Sequence, residues 1–390
     1  VRTMTDDFSR RDVTLANWRT APYCRWSFQH VEELVPVATI APPAAAPAET
    51  APPLADIAVP DGKGGRMPLA ARLTAGHADS LVALKDGRLA GVWHAADTEG
   101  ERPHLLFSVS KSVTGLLAGI AADERVLDPE APVADYVPLD PASAYGSARV
   151  RHLLDMTVDL AFEEDYLDRG GAFDRYRRAM LWNPERADTR PETLLEVLAS
   201  LERAGGRHGE RFYYASPNTD MLGLVIEAAT GRRLAELIAE RLWRPMGATG
   251  AAWITVDRVG TARAAGGFAA TARDLARLGQ LVLDGGTAAD GRRVVPAGWI
   301  DDMRRAGDRA AWTGSDFAAL FADGAAYRAC WYETGPGDAA LCALGIHGQW
   351  LWIDPARRVV LALTAARPLP SEDTETIADR QLLEHLAAVL

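Results

Sequence analysis

From Phe107 to about Asp123 the chain runs through small and aliphatic residues without a helix breaker, Phe-Ser-Val-Ser-Lys-Ser-Val-Thr-Gly-Leu-Leu-Ala-Gly-Ile and onward. Leu105, Leu106 and Phe107 lead into it from a polar run that ends at Arg102. A helix this apolar has to be buried. Whatever the fold is, it must wrap this helix.

Ser108 and Lys111 stand three apart at the start of that helix and so share one face. A serine hydroxyl becomes a nucleophile only when a neighbouring base takes its proton, and a lysine can be that base only if burial keeps its amine neutral. The free N–H groups at a helix start, that of Ser108 among them, also suit an oxyanion. Of 42 Lys plus Arg, just three are lysines: Lys63, Lys85 and Lys111. The first two sit in Gly-rich turns, and only Lys111 sits in an apolar helix. Arginine cannot lose its proton at ordinary pH, so it could not replace a base here. By chance, three lysines give roughly a 15% probability that one follows a serine by three, so the pair needs support from elsewhere in the chain.

With 390 residues, 48% of them hydrophobic, the chain can build one large or two moderate cores. A net charge of −11 with no basic cluster argues against nucleic-acid binding. Three cysteines, Cys24, Cys330 and Cys342, show no C-x-x-C spacing, so neither a disulfide framework nor a zinc site is indicated and a reducing compartment is the default. No His-Glu-x-x-His or paired Cys/His spacing points to a metal, and no phosphate loop to a nucleotide. No stretch reaches 18 uninterrupted apolar residues and Val1 to Asp12 lacks an apolar leader core, so the expectation is a cytoplasmic protein without membrane contact.

Residues 13 to 40, with Trp18, Tyr23, Trp26 and Phe28, read as a segment that packs onto the main body, and 41–53 as a Pro/Ala linker. Leu81–Leu84, a Lys85-Asp86-Gly87 turn and Leu89–His94 read as a β-hairpin. Between about 136 and 254 apolar spacings of three and four predict mostly helix. Ala251 to Val256 reads as a strand, Thr271 caps a helix running to Asp284, Leu341–Ile353 and Val359–Leu363 form a second hairpin, and a last helix starts near Thr374. The expected organisation is an N-terminal extension and linker over 1–53, an α/β domain built from 54–135 and 255–390, and a mainly helical domain over 136–254.

A Ser-Lys pair still needs a proton donor for its leaving group. Phe212-Tyr213-Tyr214-Ala215-Ser216-Pro217-Asn218-Thr219-Asp220 ends a polar loop and opens a helix, which presents either tyrosine; ordinary aromatic packing is the competing reading.

Taken together, Ser108-x-x-Lys111, this tyrosine loop, the Arg151–Thr157 stretch, Trp243-Arg-Pro-Met-Gly247 and a late Gly-rich strand resemble the serine β-lactamase-like superfamily in their order. That superfamily includes class C β-lactamases, DD-peptidases and family VIII esterases. Within it the likeness is to the 6-aminohexanoate-dimer (nylon oligomer) hydrolases, carried by Phe107-Ser-Val-Ser-Lys-Ser112, Glu164-Asp-Tyr166, Tyr214-Ala-Ser-Pro-Asn-Thr-Asp220, Thr271-Ala-Arg-Asp-Leu-Ala276 and Gly345-Ile-His-Gly-Gln349. The resemblance implies a penicillin-recognising fold, α/β plus all-α, with an antiparallel sheet flanked by helices and an all-helical insertion. It implies Ser108 as acylated nucleophile, Lys111 as base and Tyr214 as proton relay. Ser216 stands where the broader superfamily has asparagine, and Asn218 is left as a helix cap. The third motif falls on Ala343-Leu344-Gly345-Ile346, making the Ile346 N–H the partner of the Ser108 N–H in an oxyanion hole, with Ala343 in place of the usual cation.

On the substrate side the resemblance implies Tyr166 as a lid residue, with Ser216 and His347 nearby and Trp182 and Trp331 as walls of an apolar acyl pocket; core packing is an equal reading for the tryptophans and the stronger one for His347. Glu163-Glu164-Asp165 reads foremost as a solvated loop face; lining the cleft instead, it would repel anionic β-lactams and tolerate cationic or neutral substrates. Arg177 and Ala265 occupy positions where the resemblance expects polar substrate contacts. The expectation is a cofactor-free, metal-free serine hydrolase of small esters and linear amides, with a homodimer left open. A β-lactamase or DD-peptidase, and a non-catalytic binder of the same fold, are the rivals.

Overall fold

The computed structural model describes residues 8–40, 52, 54–62, 64–305, 307–337 and 339–390. The linker read over 41–53 thus lies outside the described residues, except for Pro52. Leu54 is already core, against Gly91: a Cβ at Gly91 would meet the Leu54 side chain at 2.2 Å.

A seven-stranded antiparallel sheet forms the larger layer, in the order Arg88–His94, Ala78–Lys85, Val359–Ala365, Gln349–Asp354, Leu341–Gly345, Trp331–Glu333, Ala326–Arg328. Its central strands are buried on both faces, which is why 78–85 and 359–365 read as near-continuous apolar runs. Helix Ala272–Leu283, capped by Thr271 as the sequence predicts, covers one face. Gly279 lets it close on the sheet, since a Cβ there would lie 2.5 Å from Val360. A second antiparallel sheet joins Val37–Ile40, Ala252–Thr255, Phe268–Ala270 and His104–Leu105. The aromatic N-terminal segment is therefore part of the body, paired residue by residue with 252–255.

The predicted central helix is Val109–Asp123, buried along almost its whole length. It packs against helix Ser216–Thr230 and against the sheet. Two glycines permit this: a Cβ at Gly115 would meet the Ala329 carbonyl at 2.3 Å, and one at Gly119 would enter the Trp299 ring. The helix ends at Arg125, whose positive φ of 60° turns the chain away.

Two sequence readings need correction. The late hairpin is a three-stranded meander, because the stretch read as one strand over 341–353 breaks at Ile346-His347-Gly348, where His347 and Gly348 take φ of 63° and 92°. Asn218 is not a cap. Helix Ser216–Thr230 starts from Ala215, and Asn218 is fully buried, accepting from the Tyr145 hydroxyl at 3.1 Å. Helix Ala172–Ala179 falls within the stretch read as mostly helical without being singled out, and Ala297–Arg305 lies outside every element read from the sequence. Among the described residues no helix is long and apolar enough to cross a membrane.

Candidate active site

Phe107 has φ of 46°, a left-handed conformation that costs a non-glycine residue about 1–2 kcal/mol. The ring is locked by edge contacts with Phe28 and Trp182. This sharp turn throws Ser108 out at the mouth of the central helix, half-buried, at the edge of a cleft of about 980 Å³.

Lys111, one turn further on and 2% exposed, reaches back to Ser108 Oγ at 2.8 Å. Its Nζ also contacts Ser216 Oγ at 3.0 Å and the Ala265 carbonyl at 2.9 Å. Burial lowers the amine to about 8, with the Arg263 guanidinium adding to the fall and the Glu164 and Asp220 carboxylates opposing it. Three contacts suit either form: an ammonium donating all three hydrogens, or an amine donating two and accepting one from the serine hydroxyl.

The Ala265 carbonyl is held in place by a buried cluster. Asp220 lies one turn beyond Ser216 on the same helix; its Oδ1 accepts the Ala265 N–H at 2.7 Å, while Oδ2 accepts from Arg263 and the Tyr176 hydroxyl. Arg263 also donates to Tyr176 at 2.6 Å. Position 265 thus serves through its backbone, where the sequence anticipated a polar side chain.

The two adjacent tyrosines part company. Tyr213 donates its hydroxyl to the Phe162 carbonyl, away from the serine. Tyr214 stacks on Phe317 with centroids 4.7 Å apart and places its ring 4.9 Å from the Lys111 Nζ, and the Ser108 side chain beside it favours the phenolate slightly. Burial, and the Glu164 charge after it, hold the Tyr214 phenol well above its ordinary pKa, so it keeps its proton at neutral pH.

Glu164 is given no role by the sequence, where its acidic run reads foremost as a solvated face. Glu163 and Asp165 beside it are exposed, as a solvated run should be, but Glu164 turns inward. Its Oε1 accepts from Ser216 Oγ at 2.7 Å and from the Tyr166 hydroxyl at 2.9 Å, and Oε2 accepts the Ser216 N–H at the start of the helix. Ser216 accordingly links Lys111 to Glu164, and Tyr166 lines the cleft through the same carboxylate.

Opposite the serine, the Leu341–Gly345 strand closes on Leu106: a Cβ at Gly345 would lie 2.6 Å from the Leu106 carbonyl. Among the described residues, neither the Ser108 nor the Ile346 N–H finds a protein acceptor, and both residues line the cleft.

Of the other anticipated substrate contacts, Trp182 lines a small space shared with Ser108 and Tyr166, His347 borders a cavity beside it, and Trp331 falls elsewhere. His347 is buried between Phe28 and Phe107, its Nδ1 bound to the Arg367 carbonyl at 2.7 Å and its pKa driven by burial to about 3. It is a neutral core residue, because the turn at 346–348 directs it inward. Trp331 is fully buried in the sheet and lines neither the cleft nor the smaller spaces beside Ser108. Trp182 is a back wall: its Nε1 donates to Thr255 Oγ1 at 3.2 Å and its ring meets Trp18 edge-on. Among the described residues no cluster of three or more His, Cys, Asp or Glu is arranged to hold a metal ion, and Cys24, Cys330 and Cys342 are buried free thiols.

Residues 70–386 match the family model described as Beta-lactamase. The chain is 37% identical over 360 residues to the 6-aminohexanoate-dimer hydrolase of Paenarthrobacter ureafaciens, covering 92% of this chain and 89% of that one. A solved Bacillus anthracis protein, provisionally described as a 6-aminohexanoate-dimer hydrolase, superposes with a TM-score of 0.87 at 25% identity over 97% of both chains. The octameric penicillin-binding protein homologue from Pyrococcus abyssi shares the fold at 17% identity, with a TM-score of 0.60 over 81% of this chain and 76% of that one.

Proposed function

This chain belongs to the Beta-lactamase family, and we propose that within it the protein is a serine hydrolase that forms an acyl-enzyme on Ser108 and cleaves small esters and linear amides. The observation that carries this reading is the Lys111 amine, buried beside the Ser108 hydroxyl at 2.8 Å and lowered to about 8.

In this mechanism the neutral Lys111 amine takes the Ser108 proton as Oγ attacks the substrate carbonyl carbon. The carbonyl oxygen becomes an oxyanion held by the Ser108 and Ile346 N–H groups. Collapse expels the leaving amine or alkoxide, which receives a proton from Tyr214, itself resupplied from the Lys111 ammonium through the serine side of the cluster. Water enters the vacated cleft, gives a proton to the same amine and attacks the acyl carbon; Ser108 leaves with a proton and the acid departs. Ser216 and Glu164 position the amine, and the Asp220–Arg263 cluster fixes the carbonyl that orients it.

Support also comes from the relative at 37% identity, whose name states hydrolysis of a 6-aminohexanoate dimer. Turnover of a chromogenic short-chain ester by the wild-type protein, its abolition in Ser108→Ala, and a mass increase on Ser108 equal to the acyl group are the expected results. Normal turnover by Ser108→Ala would end the proposal, and nitrocefin hydrolysis as fast as ester hydrolysis would transfer it to the β-lactamase reading.

A further inference from the structure

A second cavity of about 480 Å³ shares Tyr166 and Ile346 with the large cleft, and a narrow neck of about 20 Å³, which Ser108 also lines, shares Arg19, Tyr166, Arg177 and Ile346 with that cavity. Arg177 and Arg19 line both the neck and the cavity. Arg177 is 7% exposed, and its guanidinium donates to the Tyr166 carbonyl at 2.8 Å and covers the Phe173 ring. Arg19 donates to the Trp182 carbonyl at 2.8 Å and to Asn183. Among the described residues neither arginine forms an ion pair, although a buried cation without one is costly.

The carboxylates nearby are already engaged. Asp174 binds Arg178, Arg186 and Asn183; Asp168 caps the N–H groups of Gly170 and Gly171; Glu185 pairs with Arg258. Glu164, the carboxylate that most offsets the burial of Arg177, is itself bound by Ser216 and Tyr166, and Arg263 is matched by Asp220. Burial and the neighbouring Arg263 pull Arg177 down to about 10, a sign of positive charge left over in this corner.

Orientation follows from the chemistry proposed above, on which this inference rests. Tyr214 lines the large cleft and neither the neck nor the second cavity. The leaving group must therefore lie in the large cleft and the acyl arm must point the other way, toward Arg177 and Arg19. Guanidinium groups bind carboxylates in paired, planar hydrogen bonds.

We propose that the second cavity is the acyl subsite and that it selects an acyl arm ending in a carboxylate, so that the preferred substrates are monoesters or monoamides of a short dicarboxylic acid. An acyl arm ending in an ammonium, as in 6-aminohexanoyl compounds, would meet two arginines and be rejected.

The test compares kcat/KM for three esters of equal acyl length: monophenyl adipate, phenyl hexanoate and phenyl 6-aminohexanoate. The order expected is anionic above neutral above cationic. Arg177→Met should reduce the ratio of adipate to hexanoate by about thirtyfold or more, the loss typical of removing one partner of a buried charge pair. Arg177→Asp should move preference toward the cationic ester. Equal wild-type rates for adipate and hexanoate esters, or an unchanged ratio in Arg177→Met, would overturn the inference while leaving the serine chemistry standing. Arg19→Met provides the same ratio should the Arg177 variants fail to fold. If the wild type cleaves no ester, the catalytic reading fails, and calorimetry with free adipate still decides the subsite: binding supports it, and absence of binding overturns it.

Discussion

Lys111 Nζ lies 2.8 Å from Ser108 Oγ, and its other two contacts, to Ser216 Oγ and the Ala265 carbonyl, account for both hydrogens of a neutral amine. A tetrahedral nitrogen so held directs its lone pair at the serine hydroxyl. In the proposed mechanism this amine becomes a base through burial; Glu164 and, more weakly, Asp220 oppose the fall, Arg263 adds to it, and Asp220 orients the amine by holding the Ala265 N–H.

The first prediction concerns pH. In the proposed mechanism the active form is the neutral amine, so the fraction of competent enzyme grows as pH rises toward the Lys111 pKa of about 8 and is nearly complete well above it. kcat/KM for a neutral ester should climb about tenfold per pH unit below that value and then level off. Lys111→Arg retains the charge and loses the base, and should cost roughly 10²–10⁴ in rate. A limb centred near the ordinary lysine value, or a flat profile, would contradict the assignment.

Glu164 can be tested by the same profile. Its carboxylate is the main charge favouring the protonated form of Lys111. Glu164→Gln removes that charge while leaving an amide oxygen for the Ser216 hydroxyl, so the acid limb should move to lower pH. Titration of kcat/KM in the variant reads the shift; a limb that stays put or moves upward would deny Glu164 its electrostatic role.

What could be read in advance divides along physical lines. The Ser108–Lys111 pair was legible because helical spacing fixes it and because a lysine in an arginine-rich chain stands out. Thr271 and the hairpin at 85–87 were legible because caps and turns are local chemistry. Glu164 was not, since nothing local separates it from its exposed neighbours Glu163 and Asp165; only the fold turns it toward Ser216. Arg177 sits in Ala172–Ala179, a short helix whose charges suggest a surface, yet its arginine is buried. One missed signal was available: Asp220 stands in the apolar helix after the tyrosine loop, and a buried carboxylate there requires a cation, which is Arg263. The placement of His347 and Trp331 in the core depends on the break at 346–348 and on sheet order, neither of which a strand pattern contains.

The third prediction separates leaving groups. An amine cannot depart as an anion and needs the Tyr214 proton, whereas p-nitrophenolate leaves unaided. Tyr214 retains its proton because burial raises its pKa. Tyr214→Phe should therefore reduce hydrolysis of an anilide by about 10²–10³ and of the matching p-nitrophenyl ester by far less. Equal losses for the two substrates would assign Tyr214 to positioning alone.

The last prediction concerns the second wall of the proposed oxyanion hole. Ile346 can face Ser108 because the preceding Gly345 has no side chain: a methyl group there would stand 2.6 Å from the Leu106 carbonyl and 3.0 Å from the Gln349 Cβ. Both obstacles are fixed, one as backbone and one as the root of a buried side chain bound to the Ala365 carbonyl at 2.6 Å. Gly345→Ala must push the strand away from the serine turn, carrying the Ile346 N–H out of reach of the developing oxyanion. Overpacking of this kind costs about 1–3 kcal/mol in stability. Loss of an oxyanion donor costs about 10²–10³ in kcat. The expected outcome is a folded protein with a lowered melting temperature whose kcat falls far more than its KM changes; a variant with wild-type kcat would show that the Ile346 N–H takes no part in the reaction.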